Sequence, residues 1–358
     1  MRLALVHYAA PPVVGGVERI IEQQTQLLLQ HGHEVVIVCA NQDAALSGAE
    51  IRIISSSWQE HELREALQGC DAVIVHNMFT MPFHNDAAVV LARLSHEWRT
   101  VNWVHDVDVP REWFESLHLK AQNVAVSDSR NTVLKEKLGV GDAKVIPNGI
   151  NPAKTLGWSA RVETLVHEHR LMERELVLFH PSRVLQRKNM EMGLAVTSEL
   201  RRQGADAMYL VSGAPDPHRP SSAAYAQFLQ EQMKSLELTD AAIFVGSDGV
   251  ASESEMRSLY ALADLVFFPS RSEGFGLPLL EAALHRLPVL CSDIAPHREV
   301  ALGNAHFFDL GSSPAQVAAL VRKIVPKGTM KQARQQVMQR YSWTRIYEDY
   351  LEPLLNEG

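Results

Sequence analysis

Residues 263–281 read Ala263-Asp264-Leu265-Val266-Phe267-Phe268-Pro269-Ser270-Arg271-Ser272-Glu273-Gly274-Phe275-Gly276-Leu277-Pro278-Leu279-Leu280-Glu281, and their order decides the fold class. The run up to Pro269 is apolar and β-prone, Gly274 and Gly276 mark a turn, and Pro278 suits the first position of a helix. The stretch therefore predicts strand, Gly-rich turn, helix. Backbone N–H groups of such a turn, with the positive end of the helix, can hold an anion such as a phosphate. Glu281 is then expected in the first helical turn, where a carboxylate beside a phosphate is repelled unless it faces hydroxyl groups, and a ribose is its natural partner. Two glutamates alone would do no more than favour a helix start, by a few tenths to about 1 kcal/mol each. The intervening Gly-Phe-Gly-Leu-Pro moves the reading toward a nucleotide-sugar site.

The same strand-to-helix alternation extends in both directions, the mark of parallel α/β sheets. Candidate strands are Arg2–Tyr8, Glu34–Ala40, Ile51–Ser55, Ala72–His76, Thr100–His105, Val124–Ser127 and Lys144–Pro147. After a turn-rich stretch, Pro147-Asn148-Gly149-Ile150-Asn151-Pro152, and a polar segment reaching about Arg174, a second series follows. It comprises Leu176–His180, Met208–Ser212, Ile243–Gly246, Leu265–Pro269, Val289–Ser292 and His306–Asp309. The longest helical pattern runs from about Val17 to Gln30, with Ile20, Ile21, Leu27 and Leu28 as its apolar stripe and Gly32 as its stop. These patterns predict two doubly wound, Rossmann-like domains, 1–165 and 166–341, facing each other across a cleft at the carboxyl ends of their strands. A terminal helix over 342–358 is expected to pack back on the first domain.

Composition narrows the function classes. The chain has 358 residues, 46% hydrophobic and 21% charged, with a formal net charge of −8, which fits a globular protein of two domains. A negative field argues against general affinity for nucleic acid or anionic membrane. Within residues 1–150 there are 12 Lys and Arg against 18 Asp and Glu, which favours a soluble acceptor over a lipid at an anionic surface. A basic group at Lys120, Arg130, Lys135 and Lys137 runs the other way. Cys39, Cys70 and Cys291 sit far apart in apolar surroundings and are expected to be buried thiols. The start of the chain lacks the apolar core of a signal peptide and no run reaches membrane-spanning length, so a cytoplasmic location is expected.

Four further places can carry chemistry. Gly15 and Gly16 form a loop before the first long helix and permit close backbone approach, without the Gly-x-Gly-x-x-Gly order of a dinucleotide site; taken alone, the pair is more often a plain turn. Arg183 and Lys188 follow the first strand of the second domain, where a guanidinium fork and an ammonium could clamp a diphosphate leaving group, while Arg187 between them reads as solvated. His105 closes a strand and should face the cleft. Asn77-Met78-Phe79-Thr80-Met81-Pro82-Phe83-His84, at another strand end, reads as packing more than as an acceptor pocket.

Gly15-Gly16, His105, Arg183, Lys188, Glu273-Gly274-Phe275-Gly276-Leu277-Pro278 and Glu281 together resemble the retaining glycosyltransferases of family 4, the group 1, glycogen synthase-like enzymes of GT-B fold. The likeness spans nearly the whole chain and is most specific from Pro269-Ser270 to Glu281. It implies a second domain holding a nucleotide-diphosphate sugar, UDP-, GDP- or ADP-linked, and a first domain holding a sugar, small-molecule or glycan acceptor. It further implies that Arg183 and Lys188 meet the diphosphate, Glu281 the ribose and Glu273 the hydroxyls of the transferred hexose. Gly15-Gly16 would approach donor phosphate and acceptor, and His105 the sugar near its reacting carbon; Gly274, Phe275, Gly276 and Leu277 complete the donor loop. The implied front-face substitution has the leaving phosphate help deprotonate the acceptor, with no metal or other cofactor, and no His/Cys cluster in the sequence suggests one. At 213–220 a longer Pro-rich loop replaces the compact Gly-rich turn of many relatives.

Three rivals stay open at this point. A glycoside hydrolase needs carboxyl groups roughly 5–5.5 or 6.5–9.5 Å apart, whereas eight helical steps rise about 12 Å. A non-catalytic, two-lobed sugar-binding protein would be at home outside the cytoplasm. A dehydrogenase lacks its glycine fingerprint.

Overall fold

The computed structural model describes residues 1–215, 220–325 and 329–357; positions 216–219 of the Pro-rich loop thus lie outside the described residues. The chain divides into two compact units. One comprises Met1–Asn151 with Gln339–Gly358, the other Pro152–Met338.

In the first unit the strands are β1 (Arg2–Val6), β2 (Glu34–Cys39), β3 (Glu50–Ile53), β4 (Ala72–His76), β5 (Arg99–Val104), β6 (Gln122–Ala125) and β7 (Lys144–Val145). They form one sheet in the order β3-β2-β1-β4-β5-β6-β7, parallel throughout, with Val6 opposite both Val38 and Val75. In the second unit β8 (Leu176–His180), β9 (Ala207–Val211), β10 (Ala242–Phe244), β11 (Leu265–Phe268), β12 (Val289–Ser292) and β13 (Ala305–Phe308) take the order β10-β9-β8-β11-β12-β13. Central strands such as β8 and β11 are buried at every residue, as expected of a parallel sheet covered on both faces. Each order winds outward from its first strand in one direction and then from the fourth in the other. The reversal leaves a crevice between β1 and β4 in one unit and between β8 and β11 in the other, at the carboxyl ends of the strands.

One boundary differs from the sequence reading. The unit border falls between Asn151 and Pro152, ahead of 165, because the helix Ala160–His169 inserts Val162 and Val166 into the second unit's core beside Phe179 and Phe268. Polar composition alone had assigned this segment to the first domain. The expected terminal helix runs unbroken from Trp343 to Asn356, α-helical at Trp343–Ile346 and Glu352–Asn356 with a π-helical stretch at Tyr347–Leu351 between them. Its Trp343, Ile346, Leu351 and Leu354 complete the first unit's core against Leu3, Leu5 and Ile21.

No helix among the described residues is long and apolar enough to cross a membrane. The three cysteines are buried and free. In the basic group, Arg130 pairs with Asp106 at 3.0 Å and Lys135 with Asp142, so neighbouring carboxylates offset part of its charge.

Candidate active site

In the second unit, the crevice strands β8 and β11 deliver the predicted residues to one place. After β8 the chain runs through the exposed Arg183 to a 3₁₀ turn at Gln186–Lys188. Asn189 then takes left-handed geometry (φ 58°) and starts the helix Met190–Arg202. The Asn189 side-chain amide donates to Pro269 O at 3.1 Å, and Arg271 N–H donates to Arg187 O at 2.8 Å. These two bonds tie the loop after β8 to the Gly-rich loop after β11.

The centre of this place is an ion pair. Lys188 Nζ lies 2.5 Å from Glu273 Oε1, and the two side chains are only 11% and 7% exposed. The ammonium also stands over the Phe268 ring, 4.9 Å from its centroid. Burial lowers the Lys188 pKa, and Glu273 opposes part of that shift. For Glu273 burial acts upward, but the bonds from Lys188 and Arg187 outweigh it and hold the carboxyl below its ordinary value. Arg187, expected to be solvated, instead donates to Glu273 Oε2 at 3.1 Å and to Ser272 O at 2.9 Å. A glycosidase acid must keep its proton near neutrality, and an acidified Glu273 is unsuited to that role.

Two helices begin near this pair, and only one offers a bare N-terminus. At Met190 the backbone N–H donates to the Tyr225 hydroxyl at 2.9 Å, the Tyr225 O–H donates to Glu191, and Arg271 donates to the same carboxylate at 2.8 Å. The helix Leu277–Leu284 has no side-chain cap. Its N-cap Gly276 has φ +110°, a conformation that L side chains rarely adopt, and a Cβ there would also meet Val300 Cγ2 at 3.3 Å. That terminus leaves backbone N–H groups able to face an anion. Beside it Phe275 and Leu277 are 50% and 60% exposed. Because the helix starts at Leu277, Pro278 is its second residue and Glu281 its fifth, so Glu281 lies beyond the first turn where the sequence placed it. Glu281 is half-buried, and its Oε2 accepts from the Tyr260 hydroxyl at 2.5 Å.

The loops after β9 and β10 close on this place through two glycines the sequence reading passed over. A Cβ on Gly213 would lie 2.2 Å from Ser182 O, and one on Gly246 would lie 2.2 Å from Ala214 N. Gly213 begins the Pro-rich loop, so that loop's root is pressed against the backbone of Ser182 and Arg183.

In the first unit, Gly15 is the extended N-cap of α1 (Gly16–Gln30) and has no side-chain bond. His105 follows β5, and its backbone N–H donates to Asn77 Oδ1 at 2.8 Å. The ring nitrogens of His105 lie 3.1 Å from His76 Nδ1 and 3.5 Å from Asn148 Nδ2. Burial and the neighbouring His7 lower its pKa to about 4, so the ring is neutral near pH 7. His7, beyond the end of β1, contacts His76 O through Nδ1 at 2.8 Å, giving a row of histidines across the ends of β1, β4 and β5. His7, His76 and the inward-facing Glu18 of α1 were not singled out from sequence. Glu18 carried a signal, since it sits in helical phase with Ile21, Thr25 and Leu28. The loop 77–84 divides: Met78 and Phe79 are buried, while Phe83 is 49% exposed. Among the described residues no group of three or more His, Cys, Asp or Glu side chains could hold a metal ion.

Comparison with known proteins gives concordant results for both units. The family model "Glycosyl transferases group 1" matches residues 162–340, and "Glycosyltransferase Family 4" matches residues 14–154. The chain is 23% identical to the mannosylglucosylglycerate synthase of Thermotoga maritima over 87% of each chain. It is 22% identical to the glycogen synthase of Mycobacterium tuberculosis over 97% of this chain and 92% of that one. Among solved structures it is similar to Anabaena Alr3699/HepE in complex with UDP, with TM-score 0.42 and 18% identity over 99% of this chain and all of that one.

Proposed function

The chain belongs to the group 1 glycosyltransferases of family 4, and from that premise we propose that it moves a hexosyl group from a UDP-, GDP- or ADP-sugar to an acceptor hydroxyl with retention of configuration and without a metal. The observation that carries this reading is the nearly buried Lys188–Glu273 pair between the crevice strands, next to the bare N-terminus at Leu277. Relatives named mannosylglucosylglycerate synthase and O-antigen chain mannosyltransferase favour a hexose.

On this reading the diphosphate rests on the N–H groups at Gly276 and Leu277, within reach of Arg183 and Lys188. Lys188 turns from Glu273 to phosphate as Glu273 turns to hydroxyls of the sugar. Glu281, steadied by Tyr260, holds the ribose. The bond from C1 to the diphosphate oxygen breaks and its electron pair leaves with the nucleoside diphosphate. The acceptor oxygen bonds to C1 on the same face, and its proton passes to the departing phosphate oxygen. Two cationic side chains and a helix terminus supply the positive charge that this leaving group needs. On the same reading His105, neutral and held by Asn77, His76 and Asn148, orients the sugar.

The test is a panel of nucleotide sugars, read by thermal stabilisation and slow donor hydrolysis. One donor is expected to raise the melting temperature and to be hydrolysed. Silence toward every nucleotide and nucleotide sugar would remove the proposal.

A further inference from the structure

The stripe of α1 that faces the sheet runs Glu18, Ile21, Thr25, Leu28, spaced three and four apart, with exposures of 7%, 1%, 0% and 1%. A carboxylate therefore opens a stripe that packing would otherwise fill with apolar groups. It points to the end of β1, where Glu18 Oε1 lies 3.9 Å from His7 Nε2, too far for a hydrogen bond. His7 is 1% exposed. Its Nδ1 faces the His76 carbonyl at 2.8 Å, and a carbonyl only accepts, so the proton of the neutral ring sits on Nδ1. Nε2 is left as a buried lone pair without a partner. An ionised carboxylate also only accepts. Two acceptors thus face each other with no donor between them, an arrangement that proteins rarely leave unfilled.

The surroundings say what kind of donor fits. Glu18 lies against the bare backbone of the Gly15-Gly16 loop, where a Cβ on Gly15 would come within 2.0 Å of Oε2. The Tyr8 ring sits 3.9 Å from that of His7 and 5.4 Å from that of His84, with Phe83 edge-on at 6.3 Å. Phe83 is half exposed and Val14 fully exposed. An apolar aromatic wall beside convergent hydrogen-bond acceptors matches a sugar ring, which presents C–H groups on its faces and O–H donors at its edge. A phosphate or carboxylate would bring negative charge to a carboxylate and a lone pair.

We propose that Glu18 and His7, walled by Tyr8 and Phe83, form an acceptor subsite that selects a neutral, polyhydroxylated sugar or glycan over acceptors bearing phosphate or carboxylate groups. This rests on the glycosyl-transfer reading above. The test uses the full chain with the donor it hydrolyses. Transfer is compared between p-nitrophenyl α-mannoside, p-nitrophenyl α-glucoside and maltose on one side, and glucose 6-phosphate, glucuronate and glycerate on the other. The neutral set is expected to lead in kcat/KM by at least about tenfold. Glu18→Gln replaces one acceptor oxygen with a donor, so it should cut kcat/KM for the neutral set roughly ten- to hundredfold and narrow the preference. Phe83→Ala, at an exposed position that folding tolerates, should raise KM for the same acceptors.

The proposal is overturned if the anionic set is used as well or better, if no neutral glycoside is used by a protein that hydrolyses donor, or if both variants leave the preference and KM unchanged. A wild-type chain that neither binds nor hydrolyses any nucleotide sugar would instead remove the donor reading, and the acceptor proposal with it.

Discussion

Replacing Lys188 by Met tests whether the Lys188–Glu273 pair serves function at the expense of stability. At 2.5 Å the Coulomb attraction is about 6–7 kcal/mol for an effective dielectric constant near 20, and desolvation of both ions cancels much of it. Removing one partner leaves Glu273, 7% exposed, with only the half-exposed Arg187 at 3.1 Å. Loss of half a buried pair costs about 3–5 kcal/mol, and the remaining Arg187 bond lowers the expectation to about 2–4 kcal/mol. In Lys188→Met/Glu273→Gln no buried charge is stranded, so most of that loss should return. On the proposed roles of the pair, Lys188 toward phosphate and Glu273 toward sugar, catalysis should not return with it; donor hydrolysis is expected to fall at least about a hundredfold in both variants. Urea denaturation followed by far-ultraviolet circular dichroism, with hydrogen exchange of β8 and β11 to assign the change to the second unit, reads the stability. A single variant within about 0.5 kcal/mol of wild type would refute the burial argument, and a double variant that still hydrolyses donor would refute the functional one.

Three other outcomes follow from the same geometry. Gly276→Ala forces a side chain into φ +110°, a strain of about 1–3 kcal/mol at the turn proposed to hold phosphate; calorimetric titration should show nucleotide affinity at least about tenfold weaker. Glu281→Ala, by removing the carboxylate proposed to hold the ribose, should weaken nucleotide binding by a similar factor, and unchanged affinity would dissociate Glu281 from the site. Burial lowers the pKa of His7 from 6.5 to about 4 and that of His180 to about 3. Between pH 6.5 and those values the unfolded chain binds protons that the folded chain refuses, so stability should drop as pH falls through this window, by up to about 3 kcal/mol from His7 alone. Urea midpoints from pH 7.5 to 4.5 measure it, and a flat profile would contradict the neutral burial of these rings.

The regular elements were legible because the information for them is local. Leu265–Phe268 is apolar without a break, and Pro278 and the flanking glycines punctuate the turn and helix that follow. The residues proposed for the donor could be picked out for the same reason, since Arg183, Lys188 and Glu273 follow strand ends and Glu281 lies near a helix start. What escaped depends on neighbours distant in sequence. Arg187 looked like a solvated turn residue until the chain brought Ser272 and Glu273 to it. Gly213 looked like an ordinary loop glycine, although its need for a missing Cβ is set by Ser182. The boundary at Asn151 was hidden because a polar, amphipathic helix can cover either of two sheets, and only the contacts of Val162 and Val166 choose between them. Glu18 is the instructive omission: one polar residue in a buried helical phase stood out in the pattern, but its meaning required the lone pair of His7 opposite.

The return of the chain to its first unit has a consequence for biosynthesis. Trp343, Ile346, Leu351 and Leu354 belong to the same core as Leu3, Leu5 and Ile21, yet the whole of Pro152–Met338 is translated between them. At about 5–20 residues per second the ribosome takes on the order of ten to forty seconds to supply the missing pieces. Through that interval the part of the first core that Trp343, Ile346, Leu351 and Leu354 cover stays open, while the second unit is still being made. The unit translated first is thus finished last, and premature release of the chain before Trp343 would leave an apolar face for chaperones or proteases to recognise.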